Sequence, residues 1–517
     1  MSKIPLKVSL RRKRLRKVLR TANLHEFLTM IWAANSLVQQ RTKAGLKHLQ
    51  VPPKTVEEIT QNRGPVFGWH LESLLNEGLI HSHQKSVSGR CLHCGNWAGF
   101  TTAYNALHEL SDAESLVDLI DGDIVSAMPR ILWSQLQWGV GFPTAQYFYR
   151  YWYLYNSSKA DEVMRGKYGI GLKKFCWVGF AVFSQSQRSP WLKLKPIPKH
   201  GIEAEDLEAF LNVVSKPVNF MRGHARKIRY PRSEKHYTPI DFRKSALRDY
   251  PVISQQTPDG TYYCAPIPEL ICARIAEGLF FDLKGDGGLG NDYGRRFEQY
   301  VSDLISFRMS SVLAIEPEYE YRKGMKSPDV LVADDERRLK LVVECKTLNL
   351  GMPIRQSPDP WQTHRSYFDA IISGVVQIWR YCEFIQQSGQ DKFSKDLSSA
   401  RGVLMTLHPW FIVDLEKRDA VMVAAESKAD EKGISASARI PIGFMHSEDL
   451  ERTVSLLRPN DFLQAVDEIC LPEYREYETR DTWKSLYSKD HEASDIAQFP
   501  FGQKLGEIMP WWKQLGD

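Results

Sequence analysis

The sequence predicts a chain in two dissimilar parts. An α/β domain occupies much of the second half, behind a larger, mainly α or α+β N-terminal region. Three observations carry this. Residues 24–85 show apolar spacing at the helical period, broken at Val51-Pro52-Pro53 and near Gly64-Pro65. Residues 318–347 hold three short strand-like runs, set between the helical stretches 293–309 and 361–387. Between the two parts lies Gly285-Asp286-Gly287-Gly288-Leu289-Gly290, a flexible joint.

A chain of 517 residues with 43% hydrophobic content is long enough for two or three domains with cores of their own. The longest strongly apolar run, 175–183, is too short to span a bilayer. The N-terminus leads from basic residues into more basic residues without an apolar stretch, so no secretory signal and a cytoplasmic location are expected. Eight scattered cysteines are not a disulfide framework, and Cys176, Cys264, Cys272, Cys382 and Cys470 read as small buried hydrophobes. The net charge of +6 is unevenly spread, because residues 1–20 carry nine Lys and Arg and no acid, which leaves −3 for the rest.

Within that basic start, Leu15, Val18, Leu19 and Ala22 share a helical face. Residues 1–60 are therefore expected as a basic helical arm, either contacting phosphates or packed on the next domain. A domain for recognition or partner binding is expected over 61–285. In it, Leu71, Leu74, Leu75 and Leu79 mark one helix. The turn Cys91-Leu92-His93-Cys94-Gly95 suits half of a structural zinc knuckle, with His81, His83 and His108 as the nearest further ligands; two ordinary thiols in a turn is the competing reading. Residues 130–156 are crowded with Trp, Tyr and Phe, which fits a buried helix better than a base-stacking surface. Residues 184–260 are punctuated by proline, with one helix at 203–214. Arg222, Arg226, Lys227, Arg229, Arg232 and Lys235 against Glu234 form a second basic patch, read as a DNA-facing loop. The glycine-rich joint lacks a Gly-Lys-Ser/Thr ending and a preceding strand, so it is not a nucleotide site.

The chemistry concentrates between 298 and 381. Phe297, Tyr300, Val301, Leu304 and Ile305 form a helix stripe, with Glu298 at its edge. Three strand-like runs follow at 318–322, 329–333 and 339–347. In the last, Val342, Glu344 and Lys346 share one face by the period of two. A charged pair on so apolar a strand requires a partner or a function. Asp329 and Glu344, on neighbouring strands joined by the polar turn 334–338, can together hold a hard divalent cation such as Mg²⁺ or Mn²⁺. Such an ion polarises a phosphoryl oxygen and lowers the pKa of bound water. The Lys346 ammonium can orient that water and stabilise charge at phosphorus. Gln377 and Tyr381, four apart, share a helix face. Strands are expected at 402–408 and 410–415, and helices at 449–457 and 461–469.

Pro328-Asp329, Glu344-Cys345-Lys346 and Gln377-Ile378-Trp379-Arg380-Tyr381, in this order of elements, resemble the PD-(D/E)xK nuclease superfamily, in its RecB-like QxxxY variant. The resemblance covers residues 291–415. It implies a restriction-endonuclease-like fold, a mixed central sheet flanked by helices, over 286–425, with a C-terminal helical extension over 426–517 that packs back on it. It implies Asp329 and Glu344 as metal ligands, completed by Glu298 and the Cys345 backbone carbonyl, with Lys346 as the catalytic lysine. Gln377 and Tyr381 would support the site or touch substrate. Only Cys382 and Cys470 follow the core, so no iron–sulfur cluster is expected. The implied activity is Mg²⁺-dependent hydrolysis of DNA phosphodiester bonds by an endonuclease, in prokaryotic defence against foreign DNA, with a protein partner for the N-terminal region. The alternatives are a mobile-element or transposition-type nuclease subunit, an RNase with the same centre, and a non-catalytic nucleic-acid-binding scaffold.

Overall fold

Helix Gly68–His81 lies at the heart of the N-terminal part, and it is far more polar than its leucine stripe suggests. In the computed structural model of the chain, Leu71, Leu74, Leu75 and Leu79 are buried, but so are Glu72, Asn76 and Glu77. Buried carboxylates are costly unless paired and hydrogen-bonded, and their partners come from much later in the chain. Arg229 donates to Glu77 at 2.9 Å and Tyr230 at 2.8 Å. The remaining Arg229 donors reach the carbonyls of Ile240, Arg243 and Lys244. Arg248 grips Glu72 at 2.8 and 2.6 Å. Asn76 donates to Ser245 Oγ and accepts from the Ala246 N–H, both at 2.9 Å. Burial alone would push the Glu77 carboxyl up, yet Arg229, His81 and Tyr230 hold it down at about 2. Arg229→Met strands this charge, and it should destabilise the N-terminal unit by about 3–5 kcal/mol in thermal or urea unfolding.

The structure describes residues 5–61, 66–83, 91–121, 138, 143–231, 237–284, 289–347, 361, 365–388, 392–408, 415–474 and 497–515. The chain divides into two units, Met1–Asp286 with Leu505–Asp517, and Gly287–Lys504. The first is mainly helical, with a small sheet of β1 (Ser215–Pro217), β2 (Val252–Thr257) and β3 (Gly260–Cys264). The basic start is no separate arm. Helix Leu6–Leu19 buries Val8, Leu15 and Leu19 against the core and packs along helix Trp97–Asp121. There Arg11 and Arg14 both pair with Glu109, while Arg12 reaches Glu114 at 3.2 Å and Tyr237 at 2.6 Å. The aromatic segment forms helix Ala145–Tyr155, with Phe148, Tyr149, Tyr151, Trp152 and Tyr155 buried; Trp133 and Phe142 lie outside the described residues. The apolar run 175–183 falls inside helix Leu172–Ser186.

Two expectations for this unit are corrected. The second basic patch is not a loop: Arg222, Arg226, Lys227 and Arg229 lie on helix Val218–Arg229, and Arg229 is internal, recruited by Glu77. Arg232, Glu234 and Lys235 lie outside the described residues. The tail expected to pack back on the second unit does so only in part: Ala497 and Phe499 meet Arg308 and Phe307, but Leu505–Asp517 belongs to the first unit. There Trp511 and Trp512 pack against Trp152 at 5.3 and 6.0 Å, beside Phe180.

The second unit is a mixed α/β domain built on a five-stranded sheet in the order β10-β9-β8-β7-β4. Strand β4 (Ala314–Pro317) runs antiparallel to β7 (Val330–Ala333), and β7 antiparallel to β8 (Leu339–Lys346). Strands β9 (Arg401–Thr406) and β10 (Ile442–His446) extend the sheet in parallel. Parallel neighbours need long crossovers; helix Arg365–Gln387 lies between β8 and β9, and helix Leu415–Glu431 between β9 and β10. The run 318–322 is not a strand of this sheet. Its Glu320–Arg322 part (β5) pairs with Met325–Lys326 (β6) in a separate hairpin. The edge strand β4 escaped the pattern because Ala-Ile-Glu-Pro is short and half exposed. The sheet also runs past the boundary expected at 425, since β10 pairs with β9 along five residues. Helices Ser447–Leu456 and Pro459–Ile469 follow β10. The first docks on helix Leu289–Met309, where Tyr300 donates to Glu451 at 2.7 Å and Arg308 to the Val454 carbonyl at 2.8 Å. The strand expected at 410–415 falls almost wholly outside the described residues. Among the described residues no helix is long and apolar enough to cross a membrane.

Candidate active site

Register places the two acids face to face. Val330 pairs with Val343 in the antiparallel β7–β8 ladder, so one step further sets Asp329 opposite Glu344. The chain enters that position under tight control. Ser327 and Tyr319 exchange two hydrogen bonds, Ser327 N–H to the Tyr319 carbonyl at 2.8 Å and Tyr319 N–H to Ser327 Oγ at 3.0 Å. The Glu318 N–H donates to the Asp329 carbonyl at 3.1 Å. Asp329 Oδ2 accepts from the Cys345 N–H at 2.6 Å, which fixes its carboxylate beside the end of β8.

Glu344 is 2% exposed and takes the Lys346 ammonium on Oε1 at 2.6 Å. The period-two expectation for these two residues is thus realised as a direct contact. The other oxygen, Oε2, is buried and has no hydrogen-bond partner among the described residues. Burial pushes the Glu344 carboxyl up to about 7 against the pull of Lys346, with Glu298 and Glu318 adding to the rise. Burial and the Glu344 charge lift Asp329 to about 8, against the Cys345 hydrogen bond. Burial would lower the Lys346 ammonium, but Glu344 more than offsets it and keeps the lysine charged.

Glu298, half-buried on helix Leu289–Met309, faces the same centre. Burial and Glu318 raise its carboxyl, while Lys326 and Lys346 lower it. Its Oε1 and the Thr347 hydroxyl both border the open side of Gly294. Among the described residues no three His, Cys, Asp or Glu side chains are gathered as a ready ion-binding group. A Mg²⁺ ion nonetheless suits this donor set, because it commonly uses one or two carboxylates and keeps several waters. Glu344 Oε2, without a hydrogen-bond partner among the described residues, is the oxygen that could serve such an ion as a ligand.

Helix Arg365–Gln387 covers this face, and Gly374 lets it approach. A Cβ there would meet Leu404 Cδ1 at 2.6 Å, Lys346 Cε at 3.0 Å and Glu344 Cγ at 3.4 Å. Gln377 follows one turn on, half-buried on the same side. Tyr381 is fully buried. Its hydroxyl meets that of Tyr319 at 2.6 Å, so it holds the residue that brackets Ser327 and, through it, Asp329. Tyr381→Phe should cost about 1 kcal/mol in unfolding free energy, read by urea denaturation.

Sequence reasoning missed Glu318, Lys326, Tyr319 and Gly374. The glycine had a visible signal, since a glycine inside an amphipathic helix often marks close approach. The others had none, because they depend on a hairpin folding back beside β7. At the expected zinc turn, Cys91 is exposed and Cys94 buried, and the turn is stitched down by Leu92 N–H to the Thr21 carbonyl and Gln50 N–H to the Gly95 carbonyl. Burial, Glu26 and Cys91 push the Cys94 thiol up to about 12. His81 is paired with Glu77 and His108 with Asp112, and the His83 backbone is bonded to Ala22 and Leu24. No protein-family model, curated protein or solved structure matches the chain.

Proposed function

We propose that the second unit is a metal-dependent phosphodiesterase of the PD-(D/E)xK type, cleaving DNA internally. The observation that carries this reading is the buried Glu344 Oε2, without a hydrogen-bond partner among the described residues, beside Asp329 and with a charged Lys346 on the other oxygen. Two facing carboxylates out of water repel each other unless a cation or a proton joins them. A site that keeps an ammonium on one side and leaves a carboxylate oxygen open on the other suits chemistry at a phosphate.

Asp329, Glu344 and the Cys345 carbonyl would hold the ion. When bound, it supplies Lewis-acid polarisation of the phosphoryl oxygen and an acidified water. The chain's own residues do the rest. Lys346, charged and anchored by Glu344, stabilises negative charge that builds on the phosphoryl oxygens. Glu298 adds a further carboxylate at the rim. Tyr381 and Tyr319 fix the approach of Asp329, and Gln377 offers an amide to the same face. The test is cleavage of supercoiled plasmid and of a matched RNA by the full chain. Cleavage with Mg²⁺ or Mn²⁺ and none in EDTA supports the reading; equal inertness with and without metal, on both polymers, sinks it in favour of a binding scaffold.

A further inference from the structure

A polyanion must reach a centre that is itself acidic. Glu298, Glu318, Asp329 and Glu344 set four carboxylates around two ammonium groups, Lys326 on Glu318 and Lys346 on Glu344, both at 2.6 Å. At such separations uncompensated repulsion is worth kilocalories. Cations have to guide the substrate in.

The hairpin β5–β6 supplies them. It ends one residue before Ser327-Pro328-Asp329 and presents Arg322, Lys323 and Lys326 to solvent. Its acids are engaged: Glu320 accepts from the Gly324 N–H at 2.8 Å, and Glu318 takes Lys326 at 2.6 Å. Gly324, at φ +73°, makes the tight turn that puts Lys323 at the tip. The hairpin is firmly mounted. Tyr321 packs on Tyr381 at 5.3 Å and Phe384 at 4.6 Å, and the Arg322 guanidinium lies over Phe384 at 4.9 Å. Its root is bonded to Asp329 through Glu318 and to Ser327 through Tyr319. Lys326 is 65% exposed, and with three donors it can keep Glu318 while reaching a phosphate.

We propose that the hairpin Glu320–Lys326 is a phosphate grip, in which Arg322, Lys323 and Lys326 hold the DNA backbone beside the phosphodiester to be cut. The grip rests on the nuclease reading of Asp329, Glu344 and Lys346, and it adds how the substrate is delivered. A phosphodiester backbone is the occupant that the charge pattern fits: three clustered, exposed cations beside one acid paired with Lys326 and one held by the turn, mounted on the strands that carry the carboxylate centre.

Binding is measured on the full chain by anisotropy of a fluorescein-labelled DNA duplex, in EDTA to prevent cleavage, over a salt series. Arg322→Glu/Lys323→Glu should weaken binding about tenfold or more and flatten the salt slope by roughly 1.8, the value for two lost phosphate contacts. Arg322→Lys/Lys323→Arg keeps the charge and should bind within about twofold of wild type. Unchanged affinity and slope in the Glu variant overturns the grip. Wild-type hydrolysis of bis(p-nitrophenyl) phosphate with Mn²⁺ reports on the carboxylate centre by itself. Its absence alongside hairpin-dependent binding would support the grip and overturn the nuclease reading.

Discussion

Lys346→Ala is expected to reduce DNA cleavage by about a hundred- to ten-thousandfold while leaving the fold intact. The ammonium sits 2.6 Å from Glu344 Oε1 and stays charged, so its contribution is a fixed positive charge and not proton abstraction. Plasmid nicking rates, with circular dichroism to confirm folding, read the effect. Lys346→Arg should rescue poorly. Gly374 of helix 365–387 lies close over the lysine stem, and a planar guanidinium does not reproduce the point charge of the ammonium on Glu344. Wild-type rates in Lys346→Ala would remove the residue from the mechanism.

Asp329→Asn should abolish cleavage and at the same time stabilise the metal-free protein at pH 8. The sign follows from the direction of the shifts. Asp329 and Glu344 are raised to about 8 and about 7, above their ordinary values of 3.8 and 4.5. The folded state therefore holds these protons more tightly than the unfolded state. Stability contributed by this pair falls as pH rises from about 4 to 8, and the full penalty remains above that window. Removing one charge flattens the slope. A gain in Tm of several degrees is expected, at roughly 2–4 °C per kcal/mol for a unit of this size. Mg²⁺ should raise the wild-type Tm at pH 8 and leave Asp329→Asn nearly unmoved. A pH-independent wild-type Tm across this window, with no gain in the variant, would contradict a strained carboxylate pair.

The sequence made some of this site readable and hid the rest, and the division is physical. Period-two alternation alone places Glu344 and Lys346 on one face of β8, because strand geometry leaves no other choice. Helical spacing likewise places Gln377 and Tyr381 together. What a one-dimensional pattern cannot carry is a partner from a hairpin: Glu318 and Lys326 meet only because β5–β6 folds back beside Asp329. Tyr381 was legible as a site residue, but not its action through Tyr319. In the N-terminal unit the basic stretches misled for a related reason. Arg12 and Arg229 look like surface charges until Glu114 and Glu77 are brought to them from across the fold. The edge strand β4 and the glycine-bearing β10 were too short and too weakly patterned to stand out from loops.

Helix 68–81 also bears on how the protein is made. Its buried carboxylates find their partners 152 residues later for Glu77 and 176 for Glu72, with Asn76 waiting 169 residues for Ser245. On the ribosome the helix emerges well before the segment that completes it, since synthesis proceeds at about 5–20 residues per second. Until residues 229–248 arrive, its acids lack the arginines that pair with them in the finished fold. Satisfying the polar face of this helix is consequently a late, non-local step in folding, and a chain truncated before Arg229 is left without the Arg229 and Arg248 partners of Glu77 and Glu72.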